Sequence, residues 1–413
     1  MRDIREFDLR ELRVDPVRED LGERGAAPTL DWILTLFPRT EGEPAFDEEV
    51  IRRKVDRLRT SPEVNTGHPL LDESVRRGLA SIDAAFQGNH PKYGVKQYAE
   101  EAHDGFPPTI IAAVDALSAW GMYGRAAEIF RYWLINFVKP NGWVKYRGTS
   151  IAELGQILHT AASLEERAGP TGWWEDGFAA LEAIAGNLMR LRAAAGMDGL
   201  LVGSPEDDER DKRGRYFHNN LWAAKGLVRW AEVCERRNTN PWPPIGLLRA
   251  LGEVIEVSTL LLIEQTWPMD EGDWWLTPQL EPCERPERLT GTRLASYTNY
   301  RYWPELLSSG MLPATMANRI VEARLSAGGQ FCGMTRFEGH LDDWPLADYL
   351  YGLWALGRKD DFLLSLYGHV AYHQAEGHLT AYEQVSFPPG REVAPYCLPC
   401  QLVAARAARL LVK

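Results

Sequence analysis

The chain has little cysteine, no long apolar run and no surplus of positive charge, and each shortage removes a class of function. Five cysteines in 413 residues, Cys234, Cys283, Cys332, Cys397 and Cys400, are too few and too scattered for a disulfide framework. With 46 basic against 58 acidic residues and a net charge of −12, the chain offers no electrostatic footprint for nucleic acid or for an anionic membrane. A neutral partner is expected. The first thirty residues mix both charge signs and contain no apolar core of an export signal, and no segment approaches the length of a membrane span, so a cytoplasmic protein is expected. No glycine-rich phosphate loop, serine-centred elbow or dinucleotide fingerprint occurs. Cys397-Leu398-Pro399-Cys400 has redox or zinc spacing, but free cysteine packs as a small hydrophobe, and packed thiols are the expectation. His159, His218, His369 and His373 are read as satisfied helix residues. Neither a metal nor an organic cofactor is therefore expected.

β-branched alternation is almost absent as well, and from about residue 70 onward nearly every segment has helical periodicity. The segment from Tyr123 to Val138 is the clearest. Ala126, Ile129, Phe130, Trp133, Leu134 and Phe137 recur at three- and four-residue steps, with Arg125, Glu128 and Arg131 assigned to the opposite side. The same reasoning predicts helices near 70–87, 107–120, 122–138, 149–167, 172–195, 216–236, 244–265, 301–309, 313–326, 344–357, 358–375 and 394–411. Short turns such as Trp120-Gly121-Met122 alternate with long loops rich in glycine, tryptophan and proline, which implies six helical hairpins. The fold class expected is all-α, a closed (α/α)6 barrel over residues 69–413, with residues 1–68 as a charge-rich extension packed on it. The long excursion 267–296 is expected to be an ordered lid or cleft wall.

Even-numbered helices would form the inner ring, and the loops preceding them would gather at one end. Polar and aromatic clusters fall in those loops: His103-Asp104, Trp143 to Ser150, Glu206 to Asn220, Tyr297 to Trp303, His340 to Trp344, and His378 to Gln384. Two of the loops are acidic. Glu383 stands in Gly377-His378-Leu379-Thr380-Ala381-Tyr382-Glu383-Gln384, and four carboxylates crowd Ser204-Pro205-Glu206-Asp207-Asp208-Glu209-Arg210. Two carboxyls on different loops across a pocket are what acid–base cleavage of a glycosidic bond requires, and crowding raises the proton affinity of whichever carboxyl is least solvated. The alternative for the acidic loop is a solvated surface neutralised by Arg210, Lys212, Arg213 and Arg215. Of the 15 tryptophans, only Trp143, Trp274, Trp275, Trp303 and Trp344, all in loops, are candidates for stacking on a sugar.

The loop from Glu206 to Leu227 resembles the general-acid segment of the glucoamylase-like glycoside hydrolases, family 15 and its six-hairpin relatives, which reads roughly W-E-E-R before a helix. Aligning Glu209-Arg210 puts Asp207 at the tryptophan and Asp208 at the acid. Gly377 to Gln384 is similar to the same family's G-x-L-x-E-Q, whose glutamate is the general base, and Ala102-His103-Asp104-Gly105 resembles its W-x-R-D-G, with His103 where arginine is expected. The resemblance implies an exo-acting, inverting hydrolase of neutral oligosaccharides or glycosides, with Glu383 as base and Asp208, or else Glu206, as acid. It implies Asp104 as a clamp on sugar hydroxyls. His103, Tyr216, Asn219, Arg301, Trp303, Asp343 (also a helix cap), Trp344, His378 and Tyr382 are the remaining candidates for substrate contact. Rival expectations are another carbohydrate enzyme on the same barrel, such as a polysaccharide lyase, an unsaturated-glycuronide hydrolase or a disaccharide phosphorylase, and a non-catalytic sugar-binding barrel.

Overall fold

The structure is a computed structural model and describes residues 63–94, 96–169, 173–268, 272–375, 379–386 and 396–412. The N-terminal extension lies almost wholly outside this set, as does His378. Among the described residues the helices are α1 Pro69–Ala85, α2 Pro107–Ala119, α3 Tyr123–Phe137, α4 Ile151–Ala168, α5 Trp173–Ala193, α6 Phe217–Arg236 and α7 Ile245–Thr266. An eighth rod joins α8 Arg293–Tyr297 to α9 Trp303–Ser309 through a π turn, Thr298–Tyr302. Then come α10 Ala314–Ser326, α11 Leu346–Ala355, α12 Lys359–Gly368 continued by a second π turn at His369–His373, and a last rod of α13 Leu398–Gln401 and α14 Val403–Ala408.

Contacts among these helices close an inner ring. The inner circuit runs α2, α4, α6, α9, α11, α14 and back to α2, while α3, α5 and α7 pack in sequence outside it. Composition explains the division. α2 buries ten of its thirteen residues, whereas α7 buries only Leu248, Gly252, Ile255, Thr259 and Ile263, a single stripe at three- and four-residue steps. Helix starts are set locally: Pro107 and Pro108 occupy the first turn of α2, where a missing N–H costs nothing, and Ser150 with Glu153 forms a reciprocal capping box on α4. The expected apolar face of α3 is buried throughout, but Arg125 is buried too. Its guanidinium pairs with Asp83 at 2.8 Å and donates to the Gly88 carbonyl at 2.6 Å, so charge pairing overrides the amphipathic pattern there.

Among the described residues, the all-helical expectation meets an exception in a four-stranded antiparallel sheet. It comprises β1 Gln330–Phe331, β2 Met334–Phe337, β3 His340–Asp342 and β4 Gln384–Ser386, in that order. Strands of two to four residues are too short to show alternation in sequence. The β3–β4 register sets Asp342 opposite Gln384 and so brings the loop before the tenth rod against the loop before the twelfth.

α4 and α6 meet backbone to backbone. A methyl group on Gly155 would lie 2.0 Å from the Trp222 carbonyl oxygen, and one on Gly226 would lie 2.4 Å from the Gly155 oxygen. Overpacking at such a contact costs about 1–3 kcal/mol. Gly155→Ala is expected to lower the thermal midpoint clearly, whereas Gly124→Ala, where the added methyl meets nothing within 4 Å, leaves it unchanged or raises it. Differential scanning calorimetry of the two variants checks the contrast.

Candidate active site

One cavity of about 270 Å³ opens where the loops before the inner rods converge, and five of those loops together with the eighth rod supply its wall. Tyr93, Tyr98, His103 and Phe106 come from the loop before α2, and Tyr146 and Arg147 from the loop before α4. Glu206, Asp207 and Asp208 precede α6; Tyr297, Tyr300 and Arg301 lie on the eighth rod at its π turn; Phe337, Asp342 and Trp344 precede α11; Glu383 and Gln384 precede α13. The lining alternates aromatic faces with carboxyls, the pattern of a site that stacks on a polar, ring-shaped ligand.

Glu383 is buried, with 8% of its surface exposed. The Tyr93 phenol donates to its Oε1 at 2.9 Å, the Tyr98 phenol lies against the same carboxylate, and Oε2 makes no hydrogen bond. Burial raises its pKa to about 7, and the two phenols hold it from going higher by favouring the ionised form. The charge of Asp208 acts on it across the cavity in the raising direction. Asp342, fully buried beside it, is raised well above the carboxylate range by burial and then by Glu383 itself. Gln384 Nε2 donates to Asp342 Oδ2 at 2.8 Å, and the Trp344 amide to Oδ1 at 3.1 Å. Two carboxyls in one dry pocket cannot both ionise cheaply, so the pair carries at most one charge near neutral pH.

The acidic loop divides by residue. Glu209 pairs with Arg293, and Asp207 with Arg147 at 2.6 Å. Asp208 lines the cavity, but its side chain is 60% exposed, with the Tyr297 phenol donating to it at 3.4 Å. Glu206 is 5% exposed, and its Oε1 has no hydrogen-bond partner. Burial raises its pKa to about 8, against the opposing pull of Arg301, whose guanidinium lies 3.4 Å from Oε2. Burial thus helps Glu206 keep its proton near neutral pH, whereas Asp208, the residue that sequence register points to, is largely exposed. Arg301 anchors this wall: it is fully buried, pairs with Glu153 at 2.8 Å and Glu305 at 2.7 Å, and stacks over Trp344 at 5.1 Å.

Of the remaining sequence candidates, His103 and Trp344 line the cavity and six do not. Asp104 is turned away into a cluster with Lys92 at 2.9 Å and His90 at 2.7 Å, which corrects its assignment as a hydroxyl clamp. Asn219 is spent on backbone, accepting from the Ala152 amide at 2.9 Å and donating to the Ser204 carbonyl at 3.0 Å. Tyr216 packs against Tyr302 and His218 beneath the wall. Trp303 is core, its indole N–H bonded to the Leu276 carbonyl at 3.0 Å. Asp343 is fully buried against His369 and His373, one residue beyond the cavity-facing Asp342, and Pro345 rather than Asp343 takes the cap position of α11. Tyr382 packs with Met334 and Val385 on the far side of β4. Trp274 and Trp275, with the described part of the 267–296 excursion, lie outside the cavity, so that stretch is not its wall. Sequence reasoning missed Tyr93, Tyr98 and Phe337 and named Tyr146, Arg147 and Asp342 only as members of loop clusters, although each precedes an inner helix, the one signal that marks every lining residue.

No family model and no curated protein matches the chain. Solved structures do. A wild-type glycosidase superposes with a TM-score of 0.60 at 15% identity, covering 83% of this chain and 97% of that one. A bacterial glucoamylase complexed with acarbose gives 0.56 at 14%, covering 86% of this chain and 56% of that one. An unsaturated glucuronyl hydrolase specific for heparin gives 0.51 at 12%, covering 83% and 96%. The chain has the (α/α)6-barrel fold of these six-hairpin glycosidases.

The correction at Asp104 has a measurable consequence. Removing one partner of a buried ion pair leaves the other charge unmet and costs about 3–5 kcal/mol. Asp104→Ala is expected to lose stability of that order in urea unfolding, and the double variant Lys92→Met/Asp104→Leu to recover a large part of it.

Proposed function

We propose that the chain is an exo-acting, inverting glycoside hydrolase of neutral oligosaccharides or glycosides, with Glu383 as general base and Glu206 as general acid. The observation that carries this reading is the pairing of two buried carboxyls, on loops before the sixth and twelfth rods, in one aromatic cavity with their proton affinities in the required order. Inversion needs a carboxylate to activate water on one face of the sugar and a protonated carboxyl at the leaving oxygen on the other. Glu383 has phenols favouring its ionised form and a free Oε2 to accept a water proton. Glu206 has burial favouring its neutral form and an unbonded Oε1 to give a proton up.

The fold alone licenses no one chemistry, since the same barrel serves several. Neutral substrate is favoured because the cationic side chains at the cavity, Arg147 and Arg301, are already bound to carboxyls of this chain. A uronate would have to displace one of them. The cavity is at the small end of ligand pockets, which supports attack on a terminal sugar rather than within a polymer. A screen of chromogenic α- and β-glycosides and common disaccharides identifies the sugar, and the anomer released, read by NMR before mutarotation, tests inversion.

Glu383→Gln is expected to lower kcat by about 10²–10⁴, the usual worth of a positioned acid or base, with an unchanged melting temperature; turnover within tenfold of wild type sinks the assignment. Glu206→Gln is expected to fall as far on disaccharides, yet to retain much more activity on nitrophenyl glycosides, whose leaving group needs no proton. Asp208→Asn, tested beside it, keeps most of its activity on both.

The pH dependence of kcat/KM follows from the same two groups. Activity needs Glu383 ionised and Glu206 protonated, so it rises as pH passes about 7 and falls as pH passes about 8. Because the Asp208 charge raises both Glu383 and Glu206, Asp208→Asn moves both limbs to lower pH.

A further inference from the structure

Behind β3 and β4, away from the cavity, lies a cluster the acid–base reading does not use. His369 and His373 stand four apart on the π turn that ends α12, and Cys400 stands at the third residue of α13. One donor atom from each falls within 4.8 Å of the other two, and all three residues are fully buried. His-x-x-x-His and Cys-x-x-Cys spacings are both visible in the sequence, at His369–His373 and Cys397–Cys400, where they read as ordinary helix histidines and packed thiols.

Hydrogen bonding fixes how the two imidazoles present themselves. His373 Nδ1 is 3.4 Å from the Tyr382 carbonyl oxygen, which can only accept, so Nδ1 carries the proton. His369 Nδ1 is 3.1 Å from Asp343 Oδ2, and the ionised carboxylate likewise takes a proton from it. Each neutral ring is then left with a bare lone pair on Nε2, and among the described residues neither Nε2 has a hydrogen-bond partner. That of His373 faces Asp343 Oδ2 at 3.3 Å, lone pair against carboxylate. Two uncompensated acceptors in a dry core are costly. An Nδ1–H held by a carboxylate or a backbone carbonyl, with Nε2 left free, is also the arrangement that outer-shell partners impose on metal-binding histidines.

We propose that His369 Nε2, His373 Nε2 and Cys400 Sγ bind a divalent transition metal ion, with zinc the best fit to two imidazoles and a thiolate. Asp343 Oδ2 is placed either to complete a tetrahedral set or to orient His369 from outside it. Binding releases the Cys400 thiol proton to solvent and breaks its 2.8 Å bond to the Tyr382 carbonyl, which His373 Nδ1–H then serves alone. The charges balance: a dication meets one thiolate and the Asp343 carboxylate. The ion would pin together three elements that are distant in sequence, the end of β3, the π turn and α13, directly behind the segment that carries Glu383. This inference does not depend on the cavity being a hydrolase site.

The test uses the full chain with any polyhistidine tag removed. Elemental analysis of protein dialysed against metal-free buffer is expected to find about one zinc per chain, and stripping with a strong chelator to lower the melting temperature, restored by zinc but not by magnesium. Cobalt(II) added to the stripped protein is expected to give visible bands of tetrahedral intensity together with a near-ultraviolet thiolate-to-cobalt band. Cys400→Ser abolishes the thiolate band and Cys397→Ser retains it; His373→Ala weakens all bands. Should Cys400→Ser fail to fold, the wild-type cobalt spectrum alone decides whether a thiolate is bound. No retained zinc with no cobalt bands in the folded wild type overturns the proposal, and visible bands without a thiolate band overturn the role of Cys400.

Discussion

The charge balance around Arg301 sets the terms for the rest of the site. One guanidinium, sealed inside the barrel, faces Glu153 from the start of α4, Glu206 from the acidic loop and Glu305 from its own rod. A single cation cannot satisfy three ionised carboxyls without water, so protons must make up the difference. Burial raises Glu206 to about 8 and Glu305 to about 7. The same guanidinium stacks on Trp344, so the electrostatics of the acid loop and the position of an aromatic wall are one arrangement. Loss of Arg301 would therefore be felt at three helices and at the cavity together, as expected where a buried network is fully interlocked.

The architecture was legible in the sequence because helical periodicity is a local signal repeated many times. Among the described residues, the twelve rods, with the even ones inner and the cavity-lining segments before their inner helices, were recoverable from spacing and turn residues. The eighth rod begins earlier than its periodicity suggested, at Arg293, because the π turn at Thr298–Tyr302 adds a residue and breaks the three-and-four rhythm just where Arg301 enters. The four-stranded sheet left no trace, since β4 pairs with a strand more than forty residues earlier over only three positions.

The site was legible by loop and much less by residue. Sequence order placed Glu383 at the cavity, but it could not separate Asp342 from Asp343, neighbours of which one faces the ligand space and the other the core. Nor could it tell that Asp104 is neutralised by Lys92, because that lysine is itself buried and looks like any surface lysine in the chain. In the acidic loop, register pointed to Asp208, whereas burial singles out Glu206. Proton affinity is a property of surroundings, and surroundings are assembled from segments far apart in the chain.

The two π turns bear on how chains of this shape should be compared. An α-helix turns by about 100° per residue, so one residue added within a rod rotates everything beyond it rather than merely lengthening it. Here the extra residue falls at Thr298–Tyr302 and again at His369–His373, and each segment carries an inward-facing charged or ligating side chain. An alignment that absorbs the extra residue into an adjacent loop will keep the rod and assign its face wrongly, pairing Arg301 or His373 with residues that look outward in another chain. In this architecture a gap of one residue is a change of direction, and relatives too distant for identity to guide the alignment are better matched by which way a side chain faces than by where it stands in the line.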